Sequence, residues 1–296
     1  MFKGSITALV TPFKDGEVDE GAFKRLIEFQ IANGTNGLVP CGTTGESATL
    51  SYDEHDKVIE LTIEAAAGRV PVIAGTGSNS TNETVLLTKH ARKAGAAAAL
   101  LITPYYNKPT QQGLYEHYRK VAEEVDIPLI LYNVPGRTSV NMLPETVARL
   151  SEIGNIIGIK EATGNLQQVS DVIEFSRKGF IVLSGDDFTT LPLLAIGGHG
   201  VISVTSNVAP KEMSRMVNSF LSGDVEEAKA LHFRLQALHR AMFLETNPIP
   251  VKTALAVMGL MQEEFRLPLT KMSEGARAKL MNTLKTYGLG NQRSAI

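Results

Sequence analysis

Eight short apolar runs, each followed by a longer stretch with helical periodicity, constrain the fold of this chain more than any other feature. The runs cover residues 6–13, 37–41, 71–75, 97–103, 128–134, 156–160, 181–185 and 201–204. They are rich in valine, isoleucine and leucine with little polar alternation, which is typical of parallel strands buried on both faces. Strict alternation of strand and helix implies right-handed crossovers, and a count of eight favours a closed (β/α)8 TIM barrel over an open sheet.

The alternation stops after about residue 224. Leu231, Leu235, Leu238 and Met242 recur at spacings of 4, 3 and 4, which place them on one face of a helix. A proline-rich turn at 247–250 and a last helix over about 273–287 follow. We therefore expect a catalytic barrel over residues 1–223 and a C-terminal helical domain over residues 224–296.

The composition excludes several function classes. Lys and Arg total 29 against 31 for Asp and Glu, so a net charge of −2 gives no electrostatic footprint for nucleic acid or an anionic membrane. No run of about 18 apolar residues predicts a membrane span, and the first residues lack the pattern of a signal peptide. The single cysteine, Cys41, excludes a disulfide framework. We expect a cytoplasmic protein.

Barrel enzymes place their working residues at the C-terminal ends of the strands. The sixth run ends in Lys160, whose charged form desolvation in the barrel mouth would disfavour, leaving an amine able to attack carbonyls. The alternative is a lysine that reaches solvent or pairs with Glu161. The second run leads into residues 40–47, where Gly42 and Gly45 flank two threonines and would let backbone N–H groups point inward toward an anion.

Residues at two further strand ends favour the interpretation of Lys160 as an amine that attacks carbonyls. Tyr105 and Tyr106 follow the fourth run, while Tyr132 ends the fifth run and Arg137 lies on the loop after it. Tyrosine hydroxyls can pass protons, and an arginine can hold a carboxylate in a bidentate fork. The six histidines show no metal-ligand spacing. A Schiff-base mechanism without metal or cofactor is the chemistry that these residues support.

These motifs resemble the dihydrodipicolinate synthase family, which lies within the pyruvate-dependent class I aldolases. The resemblance covers essentially the whole chain, and it is carried by residues 4–13, 42–46, 104–107, 133–138, 266–269 and the lysine at 160. It implies condensation of pyruvate with L-aspartate-4-semialdehyde, the first committed step toward diaminopimelate and lysine.

The resemblance also implies roles for individual residues. Lys160 would form the imine, and Tyr132 would exchange protons in a relay with Thr43 and Tyr106. Thr44 and the backbone around Ile202 would hold the pyruvate carboxylate, and Gly185 would leave room for the substrate. Arg137 would bind the carboxylate of the semialdehyde. Since Tyr106 reaches a neighbouring subunit in this family, a homotetramer of tight dimers is expected.

An effector site for L-lysine is a second implication of the resemblance. The positions that match this site in lysine-inhibited relatives are Ser47, Ala48, His55, Asn79, Glu83 and Tyr105. Tyr52 departs from the pattern, because several relatives carry a second histidine there. An ordinary polar dimer interface is the alternative interpretation of this set.

Two other functions compete with the synthase. One is another aldolase of the superfamily, acting on N-acetylneuraminate or a keto-deoxy sugar acid. Arg137 and the tyrosine pair weigh against it, since a sugar needs hydroxyl partners rather than a second carboxylate clamp. The other is a non-catalytic barrel that senses amino acids, against which the intact set of Lys160, Tyr132, Thr43 and Tyr106 argues.

Overall fold

All eight predicted strands are present in the computed structural model, which describes residues 2–290 of the chain. The barrel strands are β1 Gly4–Ala8, β2 Gly37–Val39, β3 Ile73–Gly75, β4 Ala98–Ile102, β5 Leu129–Asn133, β6 Ile156–Glu161, β7 Ile181–Ser184 and β8 Gly200–Ser203. They pair in parallel in the order β2-β1-β8-β7-β6-β5-β4-β3. The N–H of Leu38 donates to the carbonyl of Pro71, and that of Gly75 donates to Pro40, each at 3.0 Å. These bonds join β2 to β3 and close the barrel, so the predicted TIM barrel is confirmed.

The first strand is shorter than the predicted run of residues 6–13. β1 ends at Ala8, and Phe13–Lys14 pairs instead with Glu17–Val18 in an antiparallel hairpin. Asp15 and Gly16 form its two-residue turn with φ of 54° and 85°, the left-handed conformation that such hairpins require. Hydrophobicity alone does not separate a barrel strand from a hairpin that continues it.

Eight helices follow the barrel strands in turn. They are α1 Glu20–Ala32, α2 Tyr52–Ala66, α3 Thr81–Ala94, α4 Gln111–Glu124, α5 Pro144–Ser151, α6 Leu166–Phe175, α7 Thr190–Ala195 and α8 Pro210–Leu221. Local sequence sets their ends. Ser51 and Glu54 form a reciprocal capping box on α2, and Gly95 ends α3 with φ of 95°. Pro144 and Pro210 occupy the first turns of α5 and α8, where a proline loses no helical hydrogen bond.

The barrel interior is a packed apolar core that carries the site above it. Ile6, Ile73, Leu100, Ile130 and Leu183 fill the interior, with at most 3% of their surface exposed. Such packing fixes the relative positions of the strand ends, because a close-packed interior resists displacement. Functional side chains at these ends are therefore held by the whole sheet.

Three C-terminal helices pack beside the barrel. They are α9 Val225–Met242, α10 Ile249–Val257 and α11 Glu274–Thr286. The predicted leucine face of α9 is buried, and it shares one hydrophobic cluster with Met213 and Met216 of α8 and with Leu255 and Leu284. The boundary between residues 223 and 224 stays a prediction, and residues 291–296 of the expected second domain lie outside the described part. Within residues 2–290, no helix has the length and apolar character needed to cross a membrane.

Candidate active site

A cavity of about 210 Å³ opens at the C-terminal ends of the barrel strands. It is lined by groups from several strand ends together with the turn after α9. Among the residues lining it are Thr43, Thr44, Tyr132, Arg137, Lys160, Gly185, Asp186, Val204, Phe243 and Asn247. The fold therefore brings together six of the eight residues predicted for catalysis and substrate binding.

Lys160 lies in this cavity with only 6% of its surface exposed. It pairs in register with Tyr132 of β5 on one side and Leu183 of β7 on the other. Its Nζ lies 4.1 Å from the centre of the Tyr132 ring. Within residues 2–290, no carboxylate forms an ion pair with Lys160. The amine is thus buried beside a phenol and is free of a carboxylate partner.

The neighbouring Glu161 does not pair with Lys160, although the sequence allowed it. Successive side chains of a strand point to opposite faces, so Glu161 leaves the barrel where Lys160 enters it. Its carboxylate accepts from the N–H of Thr163 at 2.9 Å and from Asn133 Nδ2 at 3.2 Å. Burial raises the pKa of Glu161. The alternative interpretation of Lys160 as the partner of Glu161 is wrong.

Gly185 provides space for Lys160 itself. A Cβ at this position would lie 3.0 Å from Lys160 Cε, 3.1 Å from its Cγ and 2.7 Å from Ala162 Cβ. These separations are shorter than ordinary carbon contacts. The absence of a side chain at 185 therefore lets the lysine cross the top of β7.

The turn between β2 and α2 carries Thr43 and Thr44 to the cavity. Its positive φ values lie at Cys41 (55°) and Glu46 (53°) and at neither Gly42 nor Gly45. The inward direction of the backbone N–H groups stays a prediction. The carboxylate of Glu46 is buried in an ion pair with Lys252 of α10, whose pKa burial lowers. A C-terminal helix thus holds this turn in a conformation that non-glycine residues rarely adopt.

Arg137 stands at the mouth of the cavity on a one-turn helix, Pro135–Thr138. Its Nη2 donates to the main-chain carbonyl of Asn247 at 3.1 Å. Asn247 also donates from Nδ2 to Thr44 Oγ1 at 3.0 Å. The sequence predicts only a turn at residues 247–250, because a contact across 203 positions leaves no local signal.

Two predicted residues do not line this cavity. Tyr106 is 89% exposed with φ of 72° and is not among the residues that line the cavity of its own chain. Ile202 is buried in the barrel core. Val204, which directly follows β8, lines the cavity instead. The structure of one chain therefore leaves the proposed roles of Tyr106 and of the backbone at Ile202 as predictions.

A larger cavity of about 640 Å³ adjoins the first, and Thr43, Tyr132, Arg137 and Asn247 line both. Most of the predicted effector residues line it, namely Ser47, Ala48, His55, Glu83 and Tyr105, together with Tyr52. Asn79 is not among the lining residues, and its carbonyl accepts from Asn107 Nδ2 at 2.9 Å.

Two features of this second cavity concern charge. Glu83 accepts from Ser78 Oγ at 2.6 Å, and desolvation, together with the Glu83 carboxylate, raises the pKa of Tyr52. His55 contacts the carbonyl of Gly75 through Nε2 at 2.9 Å, and burial lowers its pKa. The imidazole is therefore directed at the end of β3 and is neutral near pH 7. Within the described residues, no group of three or more His, Cys, Asp or Glu side chains is placed to hold a metal ion.

Comparison with known proteins identifies relatives of this chain. The model of the dihydrodipicolinate synthetase family matches residues 1–287. The 4-hydroxy-tetrahydrodipicolinate synthase of Thermodesulfovibrio yellowstonii is 61% identical over 289 residues, which are 98% of this chain and 99% of that protein.

Two solved structures share the fold. Dihydrodipicolinate synthase from Acinetobacter baumannii, complexed with pyruvate, is 51% identical with a TM-score of 0.96, covering 98% of this chain and 100% of that one. The enzyme from Cyanidioschyzon merolae, with lysine bound, is 44% identical with a TM-score of 0.94, covering 97% of this chain and 99% of that one. The chain belongs to the dihydrodipicolinate synthetase family.

Proposed function

We propose that this chain is a lyase of the 4-hydroxy-tetrahydrodipicolinate synthase type, which condenses pyruvate with L-aspartate-4-semialdehyde through an imine on Lys160. The observation that carries the proposal is a buried lysine, held between two strands at the C-terminal end of a barrel, that no carboxylate of residues 2–290 pairs with. The names of relatives at about 60% identity support the synthase over sugar-acid aldolases and over a non-catalytic sensor.

The first step is attack of the Lys160 amine on the keto carbon of pyruvate. The carbinolamine that forms loses water to give a protonated imine, and loss of a methyl proton then gives an enamine. The enamine carbon attacks the aldehyde of the semialdehyde and forms the new carbon–carbon bond. The amino group of the semialdehyde finally displaces Lys160 from the imine carbon, which closes the ring and restores the free amine.

Proton transfers accompany each of these steps. Tyr132 lies beside the amine, with its ring centre 4.1 Å from Lys160 Nζ, and Thr43 lines the same cavity. They form the proposed relay together with Tyr106. Because Tyr106 is exposed and outside the cavity of its own chain, we assign it to the site of a second copy. This assignment requires at least a dimer, and from the family resemblance we propose a homotetramer of tight dimers.

Substrate carboxylates are bound by two separate groups. Thr44 and the backbone around Ile202 hold the carboxylate of pyruvate at the floor of the cavity, where Thr44 is buried. Arg137, at the mouth, binds the carboxylate of the semialdehyde in a charge-assisted contact. This order, with pyruvate inside and semialdehyde outside, suits a reaction in which the imine forms before the second substrate attacks.

Reduction with borohydride tests the proposal directly. With pyruvate present, one pyruvate-derived adduct per chain is expected on the peptide that contains Lys160, and mass spectrometry locates it. Lys160→Ala is expected to remove the adduct and the activity while the folded structure is retained, as checked by circular dichroism. An adduct that persists on another lysine in Lys160→Ala would refute the role of Lys160.

L-Lysine is the effector that we propose for the larger cavity. Glu83 supplies a carboxylate for an ammonium group, while Ser47, His55 and Tyr105 supply polar partners. Tyr105 adjoins Tyr106, so the ligand contacts a residue next to the proposed relay. A coupling of about 1–3 kcal/mol, typical of allosteric pairs, gives partial inhibition. The lysine-bound structure from Cyanidioschyzon merolae supports this choice of ligand.

The cellular setting follows from the same reasoning. A reducing cytoplasm suits a chain whose one cysteine, Cys41, is buried and unpaired. Pyruvate and the semialdehyde are small metabolites, so no nucleic acid or membrane partner is proposed.

A further inference from the structure

One residue outside the barrel contacts both side chains that we propose to bind substrate carboxylates, Thr44 and Arg137. Asn247 lies in the turn between α9 and α10, is 5% exposed and lines both cavities. Its side-chain Nδ2 donates to Thr44 Oγ1 at 3.0 Å, and its main-chain carbonyl accepts from Arg137 Nη2 at 3.1 Å. The two contacts use different parts of the residue, so a substitution removes only the first.

The direction of the first bond has a chemical consequence for Thr44. A hydroxyl has one hydrogen to donate and two lone pairs that accept. When the amide of Asn247 donates to Thr44 Oγ1, the hydroxyl acts as an acceptor on that side. Its own hydrogen is then left to donate elsewhere. An acceptor at position 247 would instead take that hydrogen.

The donated hydrogen is what an anionic substrate group needs. A carboxylate accepts hydrogen bonds and donates none, so only a Thr44 hydroxyl whose hydrogen is uncommitted can bind it. Thr44 is buried and lines the cavity that holds Lys160. We infer that Asn247 is a positioning residue that directs the Thr44 hydroxyl toward the pyruvate carboxylate. The inference rests on the proposed function and adds a residue that acts through Thr44.

Asn247→Asp reverses the direction of the hydrogen bond with Thr44, because aspartate has almost the same shape as asparagine but cannot donate. Both ends of an aspartate carboxylate accept, so Asn247→Asp draws the Thr44 hydrogen away from the substrate. Asn247→Ala only removes the donor and leaves the hydroxyl free to rotate. The expected order of pyruvate affinity is therefore wild type, then Asn247→Ala, then Asn247→Asp. A purely structural role predicts instead that the loss of pyruvate affinity follows the loss of stability of each variant and persists when the Thr44 hydroxyl is absent.

Borohydride trapping measures this order without the second substrate. The pyruvate concentration that gives half-maximal labelling of Lys160 is expected to rise about tenfold or more in Asn247→Asp, since hydrogen bonds to charged groups are among the stronger ones. The rise in Asn247→Ala is a few-fold. As pH falls, the carboxylate introduced in Asn247→Asp becomes protonated. The pyruvate concentration that half-saturates labelling of this variant is then expected to return toward the wild-type value measured at the same pH. Asn282→Asp, on the exposed face of α11, controls for the added charge.

A double-mutant cycle with Thr44→Val separates action through Thr44 from a direct effect of the charge. In the absence of the hydroxyl, the double variant Thr44→Val, Asn247→Asp is expected to label with the same half-saturation value as Thr44→Val alone. A tenfold penalty that persists in the Thr44→Val background would overturn the inference, as would an Asn247→Asp value no higher than that of Asn247→Ala. A wild-type chain that is not labelled on Lys160 would instead refute the proposed function.

Discussion

Gly185→Ala is the smallest change that we expect to disable the catalytic lysine without touching it. The added Cβ would lie 2.7 Å from Ala162 Cβ, 3.0 Å from Lys160 Cε and 3.1 Å from Lys160 Cγ. The lysine chain can rotate, but Ala162 Cβ is fixed to the backbone. Relief of that contact therefore requires the ends of β6 and β7 to move apart.

The size of the effect follows from these distances. Favourable carbon contacts begin at about 3.5 Å, so the strand ends must separate by roughly 1 Å. Overpacking of this kind costs about 1–3 kcal/mol of stability. A displacement of about 1 Å in a catalytic group can cost on the order of a hundredfold in rate. We expect imine formation at Lys160 to slow by about tenfold to a hundredfold while the protein stays folded.

Single-turnover trapping with pyruvate and borohydride measures the imine rate, and urea unfolding measures the stability. Gly275→Ala is the matched control, because a Cβ on this glycine of α11 meets no atom within 4 Å. It is expected to leave both quantities unchanged or to raise stability slightly. If Gly185→Ala forms the imine within twofold of the wild-type rate, the steric reasoning fails.

Three further predictions concern other parts of the molecule. Arg137→Ala should still form the pyruvate imine but lose about tenfold to a hundredfold in kcat/KM for the semialdehyde; an unchanged value would show that Arg137 does not bind it. Glu83→Ala should abolish inhibition by millimolar L-lysine at saturating pyruvate, and inhibition equal to wild type would remove Glu83 from the effector site. Burial lowers the pKa of His117 from 6.5 to about 4. Its contribution to stability is therefore full above pH 6.5 and is lost as pH falls through 4. The free-energy difference between wild type and His117→Asn should shift by about 2 kcal/mol between roughly pH 7.5 and 4.5 in urea unfolding, and parallel pH dependences would contradict this.

The order and type of the elements were predictable because local sequence determines them. Apolar runs of four to eight residues mark buried parallel strands, and residues such as Ser51, Gly95 and Pro210 mark helix ends. The prediction for the first run was wrong at its C-terminal end, because the chain leaves the strand after Ala8 while its residues stay apolar. Leu9 and Val10 are as buried as the strand, yet β1 has already ended. An apolar pattern therefore indicates which residues are buried, but it does not indicate which of them pair with a neighbouring strand.

The site was predictable to the extent that strand ends define it. Lys160, Tyr132 and Thr43 lie at or just beyond the ends of their strands, so reading the ends in order places them on one edge. Tyr106 was outside this logic, because it follows β4 in the sequence yet is 89% exposed in its own chain, and its place in the site of a second copy stays a proposal. Asn247 and Lys252 were outside it too, since they meet the barrel across 203 and 206 positions of sequence. Such contacts depend on tertiary packing, which residue spacing does not encode.

These distant contacts bear on the division of the chain at residue 223. Two side chains of the C-terminal segment hold the turn that carries Thr43 and Thr44. Asn247 donates to Thr44, and Lys252 forms a fully buried ion pair with Glu46. Removal of one partner from a buried pair leaves an uncompensated charge, at a cost of about 3–5 kcal/mol. The segment is therefore tied to the same turn by an electrostatic contact and by a directional hydrogen bond. A boundary at residue 223 separates two stretches of sequence, but the proposed pyruvate site requires both of them.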